Sequence, residues 1–375
     1  MATELAYVAN ELGSGISVIH TTTNALIDTI AVRPVPIEVA TSPDGRMVYV
    51  THVGGVSTIA TATSSLVGEI PGDVFERLPG PIAFNRDGSR AYIVEPGFPD
   101  DSGFGFFLGR EVAVIDTSVL ALVTKIPVDV QPNDIVMAPD GTRAYVSNFR
   151  FGTISVIDIN RNVVTDTIQL DHPPTRLTVT PDGRALYVAH FLSGGVGVVD
   201  IESATVTEFI SLGVDVGRPT DVVVTPDGTT LYVVNATLPG TVSAIDTRTN
   251  VAFATIPVGD IPKQAAVTAD GAYLYVTNSE SDTVSSIDMR TNTVVATAAV
   301  GPSPRGIVIA TLPPACAGDC DVDGVVTVDE LVRGVRIALG RTSLASCLAM
   351  DPGGEGTVSV DELVRAVNHA LGRCD

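Results

Sequence analysis

The chain has 375 residues, enough for one large domain and a small one. Its 43 acidic residues outnumber its 22 lysines and arginines, and the formal charge of −21 excludes a nucleic-acid partner, whose phosphates need clustered Lys and Arg. No apolar run approaches the ~18 residues of a membrane-spanning helix.

From the N-terminus, AYVAN (6–10), ISVIH (16–20) and LIDTI (26–30) predict three strands. A longer motif then appears whole at TSPDGRMVYV (41–50). It returns at FNRDGSRAYIV (84–94), MAPDGTRAYVSN (137–148), VTPDGRALYVAH (179–190), VTPDGTTLYVVN (224–235) and VTADGAYLYVTN (267–278). The period is 42–45 residues, with one copy stretched to 53. Periods of this length built from short strands point to propeller blades. Each copy predicts four strands, as in VVVT (222–225), LYVVN (231–235), VSAID (242–246) and AFATI (252–256), with Pro-Asp-Gly and TRTN turns between them. The first strands follow Pro36, Pro79, Pro132, Pro174, Pro219, Pro262 and Pro304, where no ladder donor is needed.

The run PRGIVIAT (304–311) is the first half of the motif with nothing after it, and AYVAN is the second half with nothing before it. Joined, they make a seventh blade and close a ring. The expected fold is therefore all-β, a seven-bladed propeller over 1–312, followed by a small α-helical module over 313–375.

In such blades the fourth-to-first and second-to-third connections share one face of the disc, and the variable sequence lies in them. The stretched copy holds PGFPDDSGFGFFLGR (96–110), read as a loop insertion carrying Phe98, Phe104, Phe106 and Phe107. It is expected to pack on itself over the channel mouth or to dock a partner. Two residues after each strand-start proline stand Glu38, Pro81, Asp134, Arg176, Asp221, Gln264 and Gly306, with Lys263 and Arg305 one residue earlier. Ringed around the mouth, these charges would form self-satisfied ion pairs or a ligand site; in a hydrolase, Glu38, Asp134 and Asp221 would be the acid–base groups. His52, Glu95 and His190 replace the repeat's terminal Asn but fall in different blades, so loop hydrogen bonding is their expected role. No nucleophile elbow, His-Glu-x-x-His or phosphate loop is present.

YVTN (275–278), YVSN (145–148), SVID (155–158) and TNTVVATAAVG (291–301) resemble the YVTN-type seven-bladed propellers of surface-layer and periplasmic proteins. The resemblance covers roughly residues 5–311. It implies the fold and leaves the activity open among cell-surface proteins, lactonase-like enzymes and electron-transfer subunits.

Past LPPACAG (312–318), DCDVDGVVTVDE (319–330) places Asp319, Asp321, Asp323, Val325, Thr327 and Glu330 at positions 1, 3, 5, 7, 9 and 12 of a calcium loop, with Gly324 at the turn. A second, weaker copy, DPGGEGTVSVDE (351–362), keeps Asp351, Glu355, Thr357, Ser359 and Glu362 but has Gly353 at position 3. Each loop leads into an amphipathic helix, over 328–341 and 360–373. Leu331, Val332, Val335, Ala338 and Leu339 are expected to be buried between the two helices. All four cysteines, Cys316, Cys320, Cys347 and Cys374, lie in this tail, which suggests disulfides and an oxidising compartment. No signal-peptide pattern precedes the first strand.

The paired loop–helix units resemble a dockerin, which implies calcium and a cohesin-like partner. Val328 and Asp329 stand where dockerins often show small hydroxyl residues. The expectation is a secreted or cell-surface, non-enzymatic binding protein with a protein or cell-surface partner. The alternative is an extracellular lactonase-like or sugar-acting hydrolase.

Overall fold

A computed structural model describes residues 3–76, 78–99, 106–213, 218–312, 326–341, 347, 350 and 357–370, with the backbone alone at 97–99 and 106–108. One compact unit comprises Glu4–Ala60 and Ser64–Ala310. It is a propeller of seven four-stranded antiparallel sheets. Blade 1 joins Glu4–Asn10, Gly15–His20 and Ala25–Ala31 to Pro304–Thr311, the closure expected from the split motif.

The innermost strands of blades 2 to 7 are Pro36–Thr41, Ile82–Phe84, Pro132–Met137, Leu177–Val179, Pro219–Val224 and Pro262–Val267. In blades 3 and 5 this strand is only 3 residues long and starts beyond the proline. Second and third strands are buried along most of their length, because neighbouring blades cover both faces. Between blades 4 and 5, for example, Tyr145, Ile154 and Ile168 pack on Leu177, Leu186 and Val199. Each such aliphatic side chain contributes about 1.5–3 kcal/mol by burial. The fourth strands form the exposed rim.

The repeat's polar positions are structural. Asp182 and Asp227 accept from Thr180 Oγ1 and Thr225 Oγ1 at 2.6 and 2.5 Å, and the following glycines, Gly183 and Gly228, sit at φ 71° and 74°, a left-handed conformation that favours glycine. In four blades the motif tyrosine locks its blade to an asparagine of the next. The hydroxyls of Tyr92, Tyr187, Tyr232 and Tyr275 donate to Asn162, Asn250, Asn292 and Asn24 Oδ1 at 2.7–3.1 Å. These asparagines hold the left-handed position of the following blade's outer turn. Tyr275 to Asn24 is the lock that spans the ring closure.

The lock is missing in blade 2, where Leu120 at φ 52° stands at the turn position packed against Tyr49, and in blade 4. The buried Tyr145 hydroxyl has no partner among the described residues, and the turn position that should face it is Ala204, at φ 55°. Ala204→Asn should supply the acceptor and relieve the backbone, raising stability by about 1 kcal/mol in urea denaturation. Tyr145→Phe should be close to neutral, whereas Tyr275→Phe should cost about 1 kcal/mol. A destabilised Ala204→Asn would contradict this.

The stretch 96–110 is not a loop insertion throughout. Strands Arg90–Pro99 and Phe106–Asp116 extend into one long hairpin that pairs Phe107 with Phe98. The register shifts between Leu108 and Glu111, and a Cβ on Gly109 would lie 1.5 Å from the Glu95 carbonyl oxygen, so only glycine fits there.

The other unit, which comprises Met1–Thr3, Thr61–Thr63 and Thr311–Asp375, carries among its described residues the helices Val328–Ala338 and Val360–Ala370. The first ends three residues before the expected limit, where Gly340 turns at φ 67°. The buried face also differs from expectation. Glu330, Gly334 and Ile337 are buried and Leu331 half-buried, while Val332, Val335 and Leu339 are exposed. The reason is close approach. Gly334 packs against Met350 and Leu363, and a Cβ there would meet Met350 Sδ at 2.4 Å, so the helices meet along the glycine and not along the valines. Ile337, Cys347, Met350 and Ala366 form the core. Cys347 is buried and disulfide-bonded; Cys316, Cys320 and Cys374 lie outside the described residues. No helix among the described residues is long and apolar enough to cross a membrane.

Candidate functional site

The strand-start column converges at the channel mouth. Arg176, on blade 5, reaches across the ring to bond Glu38 Oε1 on blade 2, and its Nη1 donates to Asp134 Oδ1 of blade 4 at 3.3 Å. Glu38 Oε2 accepts from Gln264 Nε2 of blade 7 at 2.7 Å. The same column ties adjacent blades. Asp134 Oδ2 accepts from Leu177 N at 2.8 Å, Asp221 Oδ2 from Ala265 N at 2.9 Å, and Gln264 Oε1 from Ile307 N at 3.2 Å. Gly306 completes the ring, where a Cβ would press within 2.7 Å of the Ile37 carbonyl oxygen.

Burial dominates the electrostatics. It pushes the Asp134 carboxyl up to about 6 and that of Asp221 up to about 7, against the pull of Arg176. Burial also works against the Arg176 charge, but the carboxylates of Glu38, Asp134 and Asp221 hold its pKa above the ordinary arginine value. An acid whose folded pKa stands above its ordinary 3.8 favours folding fully below that value and loses the contribution as pH rises through the folded pKa. The ring should therefore be more stable at pH 5 than at pH 8. Asp221→Asn, which keeps the acceptor for Ala265 N, should be stabilising by roughly 2 kcal/mol at pH 8, an advantage that shrinks below about pH 7. Chemical denaturation across that range checks it; a pH-independent difference would contradict it.

Above this network lies a cavity of about 460 Å³. One wall, from blades 2 and 3, is apolar: Val35, Ile37, Val53, Leu78, Pro79 and Pro81. The other, from blades 4 to 7 and blade 1, is polar and includes Asn133, Arg176, Lys263, Gln264 and Arg305. Arg305 Nη1 bonds Glu11 Oε1 at 2.6 Å. Lys263 makes neither an ion pair nor a hydrogen bond among the described residues; burial and the like charge of Arg305 lower its pKa.

Of the sequence-derived mouth residues, Glu38, Asp134 and Arg176 bond directly, Asp221 lies within reach of their charge, and Lys263 and Arg305 stand at the rim. Phe104 and the side chains of Phe98, Phe106 and Phe107 lie outside the described set. Glu11 and Asn133 were missed. Asn133 shares the column of Lys263 and Arg305, so reading the whole column would have found it; Glu11 reaches the mouth only through ring closure. His52, Glu95 and His190 stay apart. His52 Nε2 pairs with Ser57 Oγ at 2.8 Å, His190 Nδ1 with the Pro173 carbonyl at 3.1 Å, and Glu95 with Lys125 at 3.1 Å.

The mouth face also carries exposed apolar tips on its second-to-third connections. Leu12, Val53, Phe151, Leu192 and Leu238, from five blades, are all more than half exposed. The turns of the opposite face show one comparable residue, Val119.

In the tail, Thr327, Glu330, Thr357, Ser359 and Glu362 are described. Asp319, Asp321, Asp323, Val325, Asp351 and Glu355 lie outside the described residues. Thr327 and Glu330 form a reciprocal capping box, with Glu330 Oε2 accepting from Thr327 N at 2.7 Å. Glu362 does the same with Ser359 N at 2.7 Å. Its other oxygen, Oε1, is buried and without a hydrogen-bond partner among the described residues. A buried, unpartnered carboxylate oxygen at loop position 12 fits a hard cation such as calcium.

No protein-family model matches the chain, and no curated protein matches it in sequence. Solved structures match in fold. Hydrazine synthase from Kuenenia stuttgartiensis is similar at 23% identity and a TM-score of 0.63, over 73% of this chain and 89% of that one. A functionally unknown protein from Desulfotomaculum acetoxidans is similar at 17% identity and a TM-score of 0.69, over 82% and 98%. A protein from Bacteroides uniformis assigned as a 6-phosphogluconolactonase is similar at 18% identity and a TM-score of 0.66, over 82% and 99%. At these identities the likeness is one of fold.

Proposed function

We propose that this is a non-enzymatic binding protein of the cell surface or extracellular space, with the mouth face of a YVTN-type propeller as its docking face. The observation that carries this reading is the commitment of the mouth carboxylates. Both oxygens of Glu38 and both of Asp134 are already bonded, and Asp221 is buried, with its Oδ2 accepting from Ala265 N. A general base needs a free oxygen within reach of its substrate. The five apolar tips around the mouth support a protein partner, since solvent-facing apolar groups concentrated on one face mark docking surfaces.

The dockerin-like tail is the attachment or assembly module in this reading. Its two loops bind calcium through Asp319, Asp321, Asp323, Val325, Thr327 and Glu330, and through Asp351, Glu355, Thr357, Ser359 and Glu362. The Glu362 oxygen, without a hydrogen-bond partner among the described residues, supports the second site. A cohesin-like domain is one partner of fitting type. Disulfides among the tail cysteines suit an oxidising compartment.

One observation favours a hydrolase instead: Asp221 is held near neutrality, where acid–base groups work. Hydrolysis of gluconolactone and its 6-phosphate decides between the two. The binding reading expects rates equal to the buffer blank. Turnover that disappears in Asp221→Asn would overturn it.

A further inference from the structure

Three cations face the mouth cavity, and they are not equivalent. Arg176 is consumed by Glu38 and Asp134, and Arg305 spends Nη1 on Glu11. Lys263 is half-buried on the cavity wall with no bonded partner among the described residues. The chain has two lysines, and the other, Lys125, is held by Glu95 and Glu111 at 3.1 Å each. A half-buried ammonium without a partner bears a desolvation cost that an incoming anion would relieve. The amide of Asn133, on the same polar wall, is likewise uncommitted among the described residues.

We infer that the cavity binds a monocarboxylate carried on an apolar body, the carboxylate meeting Lys263 and the unspent N–H groups of Arg305, and the body lying on the wall of Val35, Ile37, Val53 and Leu78. The charge balance sets the monoanion. Of the three lining cations only Lys263 has no carboxylate bonded to it among the described residues, so a single negative charge matches it, and a dianion would face Glu11 and Glu38. The apolar wall sets the body, because it offers a sugar's hydroxyls no side-chain partner. The volume of about 460 Å³ suits a small carboxylic acid or the end of a peptide. This inference rests on the binding reading and names what the mouth of that docking face would take.

Calorimetry on the full chain tests it with 4-phenylbutyrate, with acetyl-phenylalanyl-leucine as free acid and as amide, and with gluconate and inorganic phosphate. The apolar carboxylates should bind at least about tenfold more tightly than the amide, gluconate or phosphate. Lys263→Met should weaken them by about tenfold or more, and Lys263→Arg should retain most of the affinity. Equal melting curves for the variants establish that the ring is intact. Tighter binding of the peptide acid would identify a chain terminus as the source, and tighter binding of phenylbutyrate a free acid; either upholds the inference. No heat from either apolar carboxylate, gluconate binding as well as phenylbutyrate, or an unchanged Lys263→Met would overturn it. Lactone turnover would sink the binding reading while leaving these affinities as a separate result.

Discussion

Arg176→Met should cost the propeller about 3–5 kcal/mol, although methionine fills most of the same space. The loss is electrostatic. Glu38, Asp134 and Asp221 are all buried, and Arg176 is the cation that all three sense. Removing it strands carboxylates inside the ring, where an unpaired charge is far costlier than in water. Part of the loss should fall away at low pH, because Asp134 and Asp221, held up to about 6 and 7, can take up protons. Adding Glu38→Gln and Asp134→Asn to Arg176→Met should recover much of the stability, since a neutral set replaces a broken one. Urea denaturation of the single and triple variants checks this; a single variant within 1 kcal/mol of the parent would be contrary to about the smallest loss a broken buried pair produces.

Calcium removal should act on the tail and leave the ring alone. The described tail core is small, essentially Ile337, Cys347, Met350 and Ala366 with Leu331, Val358 and Leu363 beside it, so the proposed loops must supply part of its stability. At calcium a hundred- to a thousandfold above its dissociation constant, binding adds about 3–4 kcal/mol. Chelation should therefore abolish the helical signal of Val328–Ala338 and Val360–Ala370 at temperatures where the strand signal is unchanged. Glu330→Gln should erase most of the calcium effect, because position 12 supplies the bidentate carboxylate. Identical tail unfolding in calcium and in chelator would reject the calcium loops.

The ring was readable because the repeat states the same four strands again and again, and because each half-motif at the chain's ends names the other as its partner. Local chemistry repeated at a fixed period leaves few alternatives. The column after the strand-start prolines is readable for the same reason, and its spacing alone brings Glu38, Asp134 and Arg176 to one place. What it could not give was reach. Nothing local says that Arg176 spans to blade 2 while Lys263 stays unbonded among the described residues, since that depends on side-chain length across a channel.

The glycines and prolines of 96–110 look like a loop, whereas a bulge at Gly109 lets the ladder run on as far as the Phe106–Pro99 pair. The tail helices were misread for a related reason. A valine stripe with helical spacing suggests a buried face, but Gly334 allows an approach close enough to move the contact one position round the helix. Small residues carry little hydrophobic signal and so hide the interfaces they make.

A double-mutant cycle between Arg176 and Glu38 tests the locked mouth most directly. Stability is measured for the parent, Arg176→Met, Glu38→Gln and the pair. A coupling of about 2 kcal/mol or more is expected for a buried pair of this kind. A coupling indistinguishable from zero would mean that the two side chains do not bond across the ring and that Glu38 is free for chemistry after all.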